Sequence, residues 1–188
     1  MNKIKAIIGV DPGGTTGLAA YYPTAGFKDG NEASNWHRME MPDCSTDKGM
    51  RDTIKMIRGL YSHLHPFLAK PTVHIVMERF EFRRDERYRD KIDYTPAEMI
   101  GAIRFAFGDT DFIKLHIAGA AIAKSFWTDD KLKQIGLWVP NLGHAMDATR
   151  HVLRYRTFQL EETSLLRVFK PHVDEPNLSR LVEETPPL

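Results

Sequence analysis

Apolar and polar positions divide the chain into short apolar runs and longer periodic ones. Ile7-Ile8-Gly9-Val10 is a mostly β-branched run that ends at Asp11. Pro12 has no amide hydrogen for a ladder, so a strand should stop there. Gly13-Gly14-Thr15-Thr16-Gly17 follows, then a second apolar run from Leu18 to Tyr22, which predicts two strands joined by a tight turn. Pro23 to Asn35, rich in Gly, Asn and Asp, reads as an exposed loop, and Trp36 to Met41 alternates weakly, as a third strand would. Asp43 to Asp47 supplies turn and cap residues. Met50, Ile54, Ile57, Tyr61 and Leu64 then share one face of a helix predicted from Asp47 to Leu68. Lys48, Arg51, Lys55 and Arg58 lie on its other faces and read as solvated surface.

Thr72 to Glu78 is a second strand-length apolar run that ends in an acid. Thr95-Pro96-Ala97-Glu98 predicts a helix start, with Thr95 as N-cap, Pro96 in the first position and Glu98 closing a capping box. Ile100, Ile103 and Phe107 form its apolar stripe, which reads first as core and second as a subunit interface. Phe112 to Ile117 predicts a further strand, and Ala118 to Lys124 a tight turn with a short helix. Thr128 caps a helix that ends near Gly136. Gly143 to Tyr155 has helical periodicity, with small Ala145 and Ala148 to let it lie close to a sheet. The tail from Gln159 to Leu188 is less periodic. Leu165 to Phe169 is expected to pack back, and the last dozen residues to be mobile.

Composition narrows the classes. The chain has 188 residues, 42% hydrophobic and 27% charged, with formal net charge +1. That fits one soluble domain, and a nucleic-acid reader with so little net charge must gather its cations in one patch. No apolar run is long enough for a bilayer and no signal-peptide pattern opens the sequence, so a cytoplasmic setting is expected. The single Cys44 excludes an internal disulfide and a multi-cysteine zinc site.

The candidate chemistry rests on acids. A carboxylate ending a buried strand is costly unless paired or bound to a cation. Taken alone, Asp11 reads equally as a metal ligand or as an Asx-type turn residue. Gly13, Gly14 and Gly17 permit the turn and would let a phosphate or metal approach. Glu78 ends its strand as Asp11 does, and if the two strands are neighbours the carboxylates converge. His144, Asp147 and His151, spaced i, i+3, i+7, share one helical stripe. Between these elements, Phe80 to Asp93 interleaves Arg83, Arg84, Arg87, Arg89 and Lys91 with Asp85, Glu86, Asp90 and Asp93 and with Phe80, Phe82 and Tyr88. Arginines with aromatics suit phosphates and unstacked bases; the other reading is a self-compensating surface loop. Lys124 and Lys131 are further candidates for phosphate contact, with plain solvent exposure the alternative.

A strand with Asp11-Pro-Gly, a strand ending in Glu78, and a late helix with His144-Ala-Met-Asp147-Ala stand in a fixed order. This set resembles the RuvC-type Holliday junction resolvases of the ribonuclease H-like superfamily, particularly their phage-encoded members, over about residues 4–157. The family often has Gln after the strand Glu and a junction-wedging aromatic shortly beyond. Here Arg79 follows, and Phe80 and Phe82 both qualify as the wedge.

The resemblance implies an α/β, ribonuclease H-like fold: a mixed sheet of about five strands flanked by helices. It implies a nuclease domain over 1–158 and an extension over 159–188. It also implies a metal-dependent endonuclease that resolves four-way and other branched DNA by two-metal-ion hydrolysis. Asp11, Glu78, His144 and Asp147 would be the catalytic and metal-binding residues, holding Mg²⁺ or Mn²⁺, with two ions per site. Phe80, Phe82, Arg83, Arg84, Arg87, Lys124 and Lys131 would contact DNA. A homodimer would match the two-fold symmetry of a junction. The rivals are an actin-like phosphotransferase, which shares the Gly14-Thr15-Thr16-Gly17 continuation but needs a second such domain, another nuclease of the same fold (ribonuclease H or packaging nuclease), and a non-catalytic junction binder.

Overall fold

Five strands, β1 (Ile4–Asp11), β2 (Thr16–Tyr21), β3 (Trp36–Met41), β4 (Thr72–Glu78) and β5 (Ile113–Ala118), form one mixed sheet in the order β3-β2-β1-β4-β5. Among the described residues, five helices flank it: α1 (Asp47–Ser62), α2 (Thr95–Phe107), α3 (Ala120–Phe126), α4 (Asp129–Gln134) and α5 (Gly143–Phe158). This computed structural model describes residues 4–22, 35–62, 72–81, 93–162, 166 and 169. The predicted end of the first helix beyond Ser62, most of the Pro23–Asn35 loop, the cluster Phe82, Arg83, Arg84 and Arg87, and the last dozen residues lie outside them. No helix among the described residues is long and apolar enough to cross a membrane.

β1 is central. It pairs antiparallel with β2 and parallel with β4, and β4 pairs parallel with β5. Covered on both faces, β1, β2 and β4 read as near-continuous apolar runs, as interior strands of such a sheet must. Strand alternation divides the core into two layers. Ala6, Ile8 and Val10 pack with Ile57 and Leu60 of α1 and Met99, Ile103 and Phe107 of α2. Ile7, Ala19 and Val76 pack on the opposite side with Trp127, Leu132, Val152 and Leu153. Leu166 joins this second layer and Phe169 packs against it, as expected for the start of the tail.

The stripe Ile100, Ile103 and Phe107 is buried in the chain's own core, as its first reading had it and not as a subunit surface; the apolar side chain α2 presents outward is Phe105, 94% exposed. Two expectations change. Thr95 is the first helical residue and not the N-cap. The cap position falls on Tyr94, without a side-chain cap, and Asp93 Oδ1 accepts the Thr95 amide at 2.9 Å. By accepting that amide, the Asp93 carboxylate supports a helix that begins one residue earlier than expected. Finally, Gly17 does not face open space for a phosphate. A Cβ there would meet the His144 carbonyl oxygen at 2.0 Å, and one at Gly9 would meet the Ala148 carbonyl oxygen at 2.2 Å. Together with fully buried Ala145 and Ala148, these glycines let the α5 backbone lie directly on β1 and β2.

Gly9→Ala and Gly17→Ala should therefore each destabilise the fold by about 1–3 kcal/mol through overpacking. Gly59→Ala, on a helix with open space around it, should instead stabilise by about 0.5–1 kcal/mol. Urea denaturation checks this. Equal, small effects at all three positions would contradict the close packing of α5.

Candidate active site

The register of the sheet delivers the two strand-end acids. Val10 stands beside Met77, so Asp11 and Glu78 follow as neighbours at the carboxyl ends of parallel strands. Both lie on the α5 face of the sheet, in alternation with Gly9 and Val76. The first turn of α5 crosses above them. His144 Nδ1 is 2.8 Å from Asp11 Oδ2. Two turns further, His151, 1% exposed, donates from Nε2 to Glu78 Oε2 at 3.1 Å. Asp147 lies on the same stripe. Its Oδ1 accepts from Arg150 at 2.6 Å and its Oδ2 is 2.8 Å from Lys124 Nζ on α3. Lys124 is also 3.8 Å from Glu78 Oε2.

The helix end is anchored from the far edge of the sheet. Glu40 Oε1 on β3 accepts the backbone amides of His144 at 2.8 Å and Ala145 at 3.4 Å. A carboxylate here satisfies amides that a helix start leaves unpaired and complements its dipole. The glycine turn below is closed locally. The Thr16 hydroxyl donates to the Gly13 carbonyl at 3.0 Å, and the Gly14 carbonyl accepts the Cys44 amide at 2.8 Å.

Charge is unevenly shared among the acids. Burial pushes the Asp11 carboxyl up from 3.8 to about 7; the His144 hydrogen bond opposes this, while Glu78 and Asp147 add to it. Burial also raises Glu78, but hydrogen bonds with His151 and Asp11 and the charges of His151 and Lys124 outweigh it and hold Glu78 below the usual range. Two carboxyls so close share a proton, which resides chiefly on the more buried one. Burial lowers the Lys124 ammonium, but Asp147 first, then Glu78 and Asp11, raise it above its ordinary value.

The structure thus brings Asp11, Glu78, His144, Asp147 and Lys124 into one neighbourhood. Lys131 is elsewhere: its Nζ donates to the Phe126 carbonyl at 2.8 Å and stands 4.1 Å from that ring's centroid. Phe80 lines a separate cavity of about 530 Å³ with Arg79, Ile100 and Arg104. Nothing local in the sequence marks Glu40 or Arg150; His151 was legible as a metal-capable member of the stripe with His144 and Asp147, and the structure sets it against Glu78. Among the described residues, no three His, Cys, Asp or Glu side chains are gathered to hold one ion in common. The reason is visible: Lys124 and Arg150 hold Asp147, and His151 holds Glu78.

The donor set nonetheless fits a hard divalent cation. It offers carboxylate oxygens with an imidazole beside them, and burial raises the Asp11 carboxyl, which a cation beside it would bring down.

Comparison with known proteins bears on the fold. No family model and no curated protein matches the sequence. Among solved structures, Thermus thermophilus RuvC in complex with Holliday junction substrate matches with TM-score 0.54 and 16% identity, covering 85% of this chain and 97% of that one. A second Thermus thermophilus RuvC structure matches with the same TM-score and identity over 84% of this chain and 97% of that one. The fold is RuvC-like. In that ribonuclease H-like arrangement, the carboxyl ends of β1 and β4 and the first turns of α5 are the places where this chain gathers its acids.

Asp11 binds a proton more tightly folded than unfolded, so its contribution to stability is full below about pH 4 and is lost as pH rises through about 7. In EDTA, Asp11→Asn should therefore become increasingly more stable than the wild type between pH 4 and pH 7. Thermal midpoints measured across that range test it. A constant gap would contradict the buried, protonated carboxyl.

Proposed function

We propose that this protein is a metal-dependent, structure-selective endonuclease that resolves four-way and other branched DNA. The observation that carries this reading is the convergence of Asp11, Glu78, His144 and Asp147 at one end of a RuvC-like sheet. The similar Thermus thermophilus protein is seen with Holliday junction substrate, which supports branched DNA as the partner.

In this reading Asp11, Glu78, Asp147 and His144 hold Mg²⁺ or Mn²⁺, two ions per site. The ions would supply polarisation of the scissile phosphate and neutralisation of charge developing on its oxygens. The chain's own residues do the rest. His151 fixes the Glu78 carboxylate through Nε2–H, and Arg150 fixes one oxygen of Asp147. Glu40 holds the start of α5, and so His144, against the sheet edge. Lys124, half exposed and reaching two of the carboxylates, is free to pass to a phosphate oxygen once those acids are otherwise neutralised. Arg83, Arg84 and Arg87, with Phe80 or Phe82 as the wedge, complete the DNA surface. A homodimer suits a two-fold substrate, and a domain over 1–158 with an extension over 159–188 suits the end of α5. A cytoplasmic setting and a phage origin belong to the same reading.

The test is cleavage of labelled four-way, flap and duplex DNA and of an RNA–DNA hybrid, in Mg²⁺ and in Mn²⁺. Wild type should nick the branched DNAs. Asp11→Asn, Glu78→Gln and Asp147→Asn should each reduce cleavage to background while keeping junction binding, because affinity comes mainly from cations that contact phosphates. Wild-type cleavage by Asp11→Asn, or a preference for the hybrid, would overturn this function.

A further inference from the structure

A cavity of about 590 Å³ adjoins the carboxylates, with His144, Asp147 and Lys124 among its lining residues and Trp138, Met146 and Asp129 in the rest of its wall. Its size lies within the range of about 300–1,000 Å³ usual for small-ligand sites. The roles given above to His144, Asp147 and Lys124 leave the Trp138 side unused.

That side is built and held. The Trp138 amide donates to the Leu132 carbonyl at 3.2 Å, and the Val139 amide donates to Met146 Sδ at 3.4 Å, which ties the segment to α5. The Trp138 ring is half-buried, and the Arg150 guanidinium lies 6.0 Å from its centroid. Exposed Lys133 stands 5.5 Å from the same centroid, on a flexible stem that can yield. Asp129 gives one oxygen to Arg150, yet its side chain remains 52% exposed. The Thr128 hydroxyl oxygen accepts the Lys131 amide at 3.5 Å, which leaves its own hydrogen to donate. Arg150 and Lys124 on the same wall already pair with Asp129 and Asp147, so what remains open is an aromatic face with a carboxylate oxygen and a hydroxyl beside it. It suits a flat heterocycle bearing hydrogen-bond donors.

Building on the endonuclease reading, we propose that this cavity takes one unstacked nucleobase next to the scissile phosphate, laid against Trp138, with its exocyclic amino group donating to Asp129. Cytosine, adenine and guanine carry such a group; thymine offers a carboxylate only its ring N3–H, flanked by two carbonyl oxygens that Asp129 repels. The pocket therefore discriminates against thymine at one position beside the cut.

Two measurements test this. Of the three tryptophans, Trp36 is 6% exposed and Trp127 is fully buried, so collisional quenching of tryptophan fluorescence by acrylamide reports on Trp138. In EDTA, oligodeoxycytidylate should protect Trp138 from acrylamide, and oligothymidylate should bind roughly fivefold more weakly. Asp129→Asn should make the two affinities equal. In the second measurement, junctions carry each base in turn at positions flanking the cut. Wild type should cut a thymine-bearing junction slowest at one position, and both Asp129→Asn and Trp138→Ala should flatten that profile. Should Trp138→Ala not fold, Asp129→Asn carries the test alone. Quenching unaffected by either oligonucleotide, or base preferences unchanged in Asp129→Asn, would overturn the pocket. Wild type that cuts no DNA, yet whose Trp138 oligodeoxycytidylate protects, would remove the endonuclease reading and leave the base pocket standing.

Discussion

The close seating of α5 on β1 and β2 is the constraint on which the rest of the structure depends. A helix normally packs on a sheet through side chains of both partners. Here Gly9 and Gly17 offer none, and Ala145 and Ala148 offer only methyl groups, so backbone meets backbone. That approach sets His144 within 2.8 Å of Asp11 and His151 within 3.1 Å of Glu78. An α5 pushed outward by even one methyl group would carry His144, Asp147 and His151 away from the strand ends together. The packing and the site are therefore one feature, and the two glycines matter to chemistry through the helix they admit.

Having gathered acids at the strand ends, the fold must neutralise them. Three carboxyls beside one another in a partly buried place repel, and each unpaired charge costs several kcal/mol to desolvate. The structure meets this in three ways at once. Asp11 keeps a proton to about pH 7, Glu78 takes His151, and Asp147 takes Arg150 and Lys124. A site whose acids are balanced by a proton and a movable lysine is one that added positive charge can reorganise. Arg150 and His151, almost fully buried, are the fixed part of this balance. Lys124 is the part that reaches solvent.

Much of the fold was legible because it is written in local periodicity. The β-branched runs ending at Asp11 and Glu78, the weak alternation of Trp36 to Met41 and the 3.6-residue repeats of α1, α2 and α5 each specify an element without reference to the others. That Asp11 and Glu78 converge was legible only on the condition that their two strands pair, a condition the sheet meets. What could not be read is non-local. Glu40 and His144 meet across 104 positions of sequence, and nothing in the alternation of β3 marks Glu40 as the anchor of a helix. The Gly17 hydrogen faces the start of α5, a contact that the local glycine pattern resembled a phosphate turn too closely to show. Thr95 gives its amide to Asp93, two residues earlier, and enters the helix as its first residue. Lys124 and Lys131 look alike in sequence, yet one reaches the carboxylates and the other folds back on Phe126.

The proposed divalent-cation site of Asp11, Glu78, Asp147 and His144 requires its buried carboxyl to give up a proton when the ion binds. Titration calorimetry with Mn²⁺ near pH 7, repeated in buffers of different ionisation enthalpy, measures both binding and proton release. The account predicts saturable binding with release of a proton in the wild type, and loss of that proton together with much weaker binding in Asp11→Asn. Mn²⁺ binding that is absent from the wild type, or that is the same in Asp11→Asn with no proton released in either, would contradict it.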